Sequence, residues 1–210
     1  MLSPRLARII ALALLGTSFA CVFLAPLAMP SGYSVLEHSI SESAAQGLTN
    51  AWIARVGFVS FGLSVILLAA TQAVRWSRWG QVAHGIFGVS MLAVAVFSHK
   101  PFANGPFDAF EDSLHSIGAS VVGVAFIVGV LLVIVAGGPV SRSRRVFDWF
   151  AVAVALVAPP LMLVAPSLAG AFQRAMFGVA YLWYAVEAMT VTDRGVREAR
   201  PGDAGSLRHL

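Results

Sequence analysis

Residues 116–137 read SIGASVVGVAFIVGVLLVIVAG, 22 residues without a charged side chain. A hydrocarbon core about 30 Å thick takes roughly 20 apolar residues in helix, because lipid offers the backbone no hydrogen-bond partners. The apolar character is continuous and lacks period-two alternation, which excludes a strand of a transmembrane barrel. On either side lie five further stretches of similar length, at about 9–28, 51–72, 80–98, 146–164 and 168–189. The sequence thus predicts an all-α integral membrane bundle of six transmembrane helices over residues 1–192, followed by a disordered cytoplasmic tail, 193–210, rich in Gly, Pro, Asp and Arg.

Composition agrees. Of the 210 residues 58% are hydrophobic and 11% charged, with mean hydropathy +0.81, whereas soluble domains carry about 25% charged residues. A water-soluble fold would have nothing to cover its surface with. The net charge of +4 is spread over short basic clusters between apolar stretches, which argues against nucleic acid and makes anionic lipid headgroups the expected partners. Cys21 is the single cysteine and sits in an apolar run, so an intrachain disulfide or CxxC centre is excluded. The first stretch follows Arg5 and Arg8, and Ser18-Phe19-Ala20 loosely resembles a signal cleavage site. Because the apolar run continues to Ala28, a retained span is expected.

Lys and Arg collect in cytoplasmic loops. Here Arg5 and Arg8 precede the first span, Arg75 and Arg78 follow the second, and Arg142, Arg144 and Arg145 follow the fourth. Arg194, Arg197, Arg200 and Arg208 follow the sixth, while the alternate loops hold only Lys100. Both termini are therefore expected inside. Trp76, Trp79 and Trp149 flank the inner loops as an aromatic belt. Ser60/Ser64 and Ala119/Gly123 are small-xxx-small pairs, read as helix packing. Pro159-Pro160 removes two amide donors and is expected to kink or break the fifth span, leaving carbonyls near Ala155 and Leu156 to find other partners.

Functional candidates gather on the outer side. The first outer loop holds Glu37, His38, Ser41 and Glu42; the second holds His99 and Lys100, then Asp108, Glu111, Asp112 and His115. Helical spacing sets Asp108, Asp112 and His115 on one face, where carboxylate and imidazole can share a metal or transfer a proton. The plainer reading is that Asn104-Gly105-Pro106 starts a helix whose first-turn acids complement its dipole. Arg55 and Arg174 lie one to two turns inside apolar spans, where charge costs about 2.5–3.5 kcal/mol on insertion scales. Either they snorkel to headgroups, or they turn inward to pair with Glu37, Glu42, Asp108 or Asp112. Glu187 and His84, toward the inner end, are expected to hydrogen-bond to each other.

The order of these motifs carries a resemblance. Tyr33-Ser34 and His38-Ser39-Ile40-Ser41-Glu42 follow the first span, and Asn50 and Arg55 open the second. Asp112-x-x-His115-Ser116 opens the fourth and Gly170-x-x-Gln173-Arg174 the sixth. In this order and layout the chain resembles the domain-of-unknown-function 998 family of bacterial membrane proteins, over nearly its whole length. The resemblance implies a bacterial plasma-membrane location and an outward-facing polar set of His38, Ser41, Arg55, Asp112, His115 and Arg174. Glu111 and Asp112 stand where such proteins often have a further histidine, which counts against a purely histidine metal site.

Three classes of function remain. The first is binding of a lipid headgroup or small anionic ligand by Arg55, Arg174, Glu37, Glu42, His38 and Ser41. The second is a metal-dependent hydrolase acting on a lipid ester or amide, with His38, His99, Asp112 and His115 holding a divalent metal such as zinc. No HExxH or GxSxG motif supports it, and neither Ser41 nor Ser116 has an assigned base. The third is a structural or accessory subunit whose outer cluster merely ties loops to helices, with another membrane protein or copies of itself as partner. Binding or an accessory role is favoured over catalysis.

Overall fold

The structure is a computed structural model that describes residues 3–72, 75–103, 105–136 and 140–190; the expected tail and Asn104 lie outside them. Among the described residues there are six α-helices and no strand: α1 (Pro4–Leu24), α2 (Ala51–Thr71), α3 (Arg78–Val96), α4 (Ala109–Ala136), α5 (Arg142–Val164) and α6 (Ala169–Met189). Five of them, α1 to α5, are long and apolar enough to cross a membrane. α6 is 21 residues long but includes Gln173, Arg174 and Glu187, which lower its hydropathy.

Successive helices reverse direction, so the bundle has two unlike ends. At one end lie the long connection 25–50, the 97–108 connection and the short 165–168 turn; this is the loop end. At the other, the basic end, lie Arg5, Arg8, Arg75, Arg78, Arg142, Arg144 and Arg145. Helices that start at the basic end are capped by serine: Ser3 accepts the Leu6 amide, Ser77 that of Gly80 and Ser141 that of Arg144. α4 instead starts on Asp108, whose carboxylate accepts the amides of Phe110 and Glu111 at 2.8 and 3.1 Å.

Three helix starts lie well before the expected ones. α1 begins at Pro4 instead of 9, α4 at Ala109 instead of 116, and α5 at Arg142 instead of 146. In each case the helix continues past the apolar run into a polar turn held by a cap, which hydropathy does not register. Of the expected kink or break at Pro159-Pro160, the break does not occur: α5 stays helical through both prolines.

α1 to α4 pack neighbour on neighbour; α5 and α6 form a hairpin that leans on α4 and α1 and touches α2 only sparsely. Small residues permit the tight crossings. A Cβ on Gly62 would stand 2.7 Å from the Gly88 carbonyl, and one on Gly57 would meet Val22 at 2.7 Å. Ser64, fully buried, donates to the Ala11 carbonyl at 2.9 Å and joins α1 to α2. Ala119 packs against the core and, with Gly123, lines a cavity; a Cβ on Gly123 would meet nothing within 4 Å. At the centre of the bundle, Phe58, Phe61, Phe87, Tyr181, Trp183 and Tyr184 form a buried aromatic layer.

Candidate functional site

The sparse seam between the α5–α6 hairpin and the rest of the bundle holds a cavity of about 560 Å³, within the ~300–1,000 Å³ usual for small-molecule sites. α3 contributes Met91 and Val94, α4 the small residues Ala119 and Gly123, α5 Ala155 and Pro159, and α6 Gln173, Met176 and Phe177. Its walls are overwhelmingly apolar. Val124 and Leu156 also line it and are 62% and 56% exposed on the bundle surface, so it opens sideways between α4 and α5 among membrane-facing side chains. Phe87 and Phe126, packed against Tyr184, close it toward the basic end.

Three polar side chains reach this cavity: Ser41, Ser120 and Gln173. The Ser120 hydroxyl donates to the Ser116 carbonyl within its own helix at 2.9 Å. Gln173 uses its carbonyl oxygen to accept the Ile40 amide at 2.5 Å, which anchors the loop to α6. Among the described residues, the Gln173 amide nitrogen and the Ser41 hydroxyl have no protein partner. They are the free hydrogen-bonding groups at the loop end of an apolar chamber.

The 25–50 connection roofs this end, and Arg174 holds it there. One guanidinium nitrogen donates to the carbonyls of Val35, His38 and Gly170 at 2.7, 2.8 and 3.0 Å; the other donates to the Tyr33 hydroxyl at 2.8 Å. Tyr33 in turn donates to the Ser39 carbonyl at 2.9 Å. Burial raises the Tyr33 pKa, opposed by the Arg174 charge beside it, so the phenol stays protonated. The amides of Gly170 and Ala171, at the start of α6, donate to the carbonyls of Glu37 and Leu36 at 3.1 and 3.0 Å. This docking requires glycine: a Cβ on Gly170 would lie 2.5 Å from the Val35 carbonyl and closer still to that of His38.

Arg55 donates through Nε and a terminal nitrogen to the Ala44 carbonyl at 3.3 and 3.2 Å. Among the described residues neither arginine is ion-paired to the nearby acids. Those acids serve other groups. Glu42 accepts the Ser39 amide at 2.6 Å and Glu111 that of Ser98 at 2.7 Å, while Glu37 points to the surface. The arginines answer exposed carbonyls of an irregular loop, acceptors that a side-chain inventory does not display.

Of the four residues expected to share a metal, three come together. His99 Nδ1 is 2.5 Å from Asp112 Oδ1, which also accepts the Lys100 amide at 2.8 Å. His115 donates from Nδ1 to the Phe97 carbonyl at 2.8 Å, and its ring stacks on that of His99 at 5.2 Å. His38 is engaged elsewhere: its Nδ1 accepts the Ser34 amide at 2.8 Å and its ring packs against Tyr33 and Phe102. Among the described residues no three His, Cys, Asp or Glu side chains are arranged to hold a metal ion. The His99–Asp112 contact ties the 97–108 connection to the first turn of α4.

At the basic end a second polar cluster forms. The fully buried Glu187 accepts from Arg75 Nε at 3.1 Å, Trp76 Nε1 at 2.9 Å and Arg144. Arg144 also pairs with Asp148 at 2.8 Å, and Asp148 accepts the Trp183 indole N–H at 2.8 Å. His84 does not bond to Glu187; its Nδ1 meets the Tyr184 hydroxyl at 2.9 Å, and its ring packs against both Trp76 and Trp183. Trp76 is thus buried and serves Glu187, while Trp79 and Trp149 are exposed. The sequence signal for this cluster was a lone carboxylate within an apolar helix, together with the Arg144 and Asp148 pair four residues apart.

Long apolar helices whose charged side chains gather at the two bundle ends define a multi-pass transmembrane protein. The model of the family described as "Protein of unknown function (DUF998)" matches residues 11–190, and the chain belongs to that family. No curated protein and no solved structure matches it.

Proposed function

We propose that this protein lies in the bacterial plasma membrane as a six-span bundle with both ends cytoplasmic and binds a lipid, whose acyl chain fills the cavity between α4 and the α5–α6 hairpin. The observation that carries the reading is the cavity itself: apolar walls, a sideways opening between Val124 and Leu156, and free polar groups only at the loop end. In a bilayer such an opening meets hydrocarbon, and burial of apolar surface favours chain entry. The basic end carries the positive charge expected on the cytoplasmic side, and α6 spans with the other five because Glu187 is paired with arginines and Arg174 is hydrogen-bonded inside the bundle. This reading moves ligand binding from Arg55 and Arg174, which hold backbone, to the cavity beneath them.

Native mass spectrometry of the protein released from mild detergent tests it, with Gly123→Phe as the comparison. The new ring would enter open space, since nothing lies within 4 Å of a Cβ there. Wild type is expected to retain one lipid per chain and the variant to lose it while melting normally. Equal retention by both would refute the cavity as the site.

A further inference from the structure

We infer that the bound lipid is uncharged and presents an ester or amide carbonyl with an adjacent hydroxyl, as an acylglycerol does, to Ser41 and Gln173. The inference rests on the cavity reading and adds the chemistry of the polar group. Its first support is the lining. No Asp, Glu, Lys, Arg or His side chain faces the cavity, and an ionised group taken from water into such surroundings without a partner carries a heavy desolvation cost. A fatty-acid carboxylate or a phosphate would need a cation there.

The nearest cation on α6 is already engaged. Arg174 gives one terminal nitrogen to three carbonyls and the other to Tyr33, and it is not part of the lining. An anion drawing it away would leave the partly buried Val35 and His38 carbonyls without their donor, which opposes the exchange. Arg55, turned to Ala44, is likewise outside the lining.

What remains is a donor-rich pair. The Ile40 amide fixes the Gln173 carbonyl oxygen and so determines which way its NH₂ points. That NH₂ offers two N–H groups, and the Ser41 hydroxyl offers one donor and acceptor capacity. A carbonyl oxygen takes the amide donors, and a neighbouring hydroxyl exchanges a hydrogen bond with Ser41. The attached chain then runs past Met176, Phe177 and Gly123 toward Phe126. Headgroup and chain are satisfied in one orientation, with the polar end under the loop roof.

Thermal stabilisation of the detergent-solubilised protein by monooleoylglycerol and by oleate at pH 8 tests this, using wild type, Ser41→Ala, Gln173→Glu and Gly123→Phe. Gln173→Glu keeps an oxygen for the Ile40 amide while removing the free amide donors, and Ser41→Ala removes a hydroxyl with no protein partner among the described residues; each variant's response is read against its own melting temperature without lipid. Monooleoylglycerol is expected to stabilise wild type at concentrations where oleate does not, and the Ser41 and Gln173 variants should each need about 5- to 10-fold more of it, as for loss of one or two hydrogen bonds. Oleate acting as well as monooleoylglycerol, or unchanged response in both polar variants, would overturn the inference while the cavity reading stood, provided Gly123→Phe abolished both responses. A Gly123→Phe protein that responds like wild type overturns the cavity reading, and the headgroup assignment with it.

Discussion

Gly170→Ala should loosen the roof of the cavity. The added Cβ would stand 2.5 Å from the Val35 carbonyl oxygen and nearer to that of His38, and both are backbone atoms that cannot rotate away. Either α6 withdraws or residues 35–38 lift. Overpacking of this kind costs about 1–3 kcal/mol. Lifting the loop also stretches the Gly170 and Ala171 amide bonds to Glu37 and Leu36, at about 0.5–1.5 kcal/mol each, and the two Arg174 bonds, which as charge-assisted contacts are worth more. Alanine's helix preference returns at most about 1 kcal/mol. The net expectation is a loss of about 3 kcal/mol, or a melting temperature lower by roughly 6–12 °C for a chain of this size. Gly178→Ala in the same helix is the control, because nothing lies within 4 Å of its would-be Cβ. Thermal unfolding in detergent, followed by tryptophan fluorescence, compares the two. Equal melting temperatures would show that the loop does not dock on Gly170.

Glu187→Gln leaves Arg75 and Arg144 facing a neutral amide in a buried site and should cost about 3–5 kcal/mol, read as a lowered melting temperature and faster proteolysis at the 72–78 connection; an unchanged melt would mean that the cluster contributes nothing to stability. The Tyr33 phenol has its pKa raised above the usual 10.0 by burial, so the folded state prefers the protonated form. Its contribution is full below pH 10 and declines as pH rises through the folded pKa, so the melting temperature of wild type should fall more steeply above pH 10 than that of Tyr33→Phe. In a Cys21→Ala background, Glu37→Cys should react with an impermeant maleimide in intact cells and Ser143→Cys only after permeabilisation; the reverse pattern would invert the orientation.

Much of the architecture is local in origin and so was legible. A run such as 116–137 carries enough hydropathy to declare a helix wherever it packs, and the arginine clusters follow the ends of such runs. The same locality misplaced the starts of α4 and α5, where Asp108 and Ser141 extend the helix into polar sequence. The site was legible only as composition. Arg55 and Arg174 read as charges in need of opposite charges, whereas their partners are carbonyls exposed by a folded loop. His38 read as a companion to His99 and His115 because all three fall near the same end of the predicted spans, yet ring packing and the Ser34 amide claim it. The cavity had no signature at all: it arises where small residues from different helices, among them Ala119, Gly123, Ala155 and Ala180, happen to face one another. Only the assembled bundle brings that missing volume together.

Both polar clusters are completed by α6. Arg174 and Gly170 receive the first connection, and Glu187 receives Arg75, Trp76 and Arg144. During synthesis this helix follows the other five, so until it arrives the carbonyls of residues 35–38 lack their donors and Arg75 and Arg144 lack the Glu187 carboxylate. Before α6 docks, the five preceding helices carry open polar valences at each end, and seating this one helix closes both.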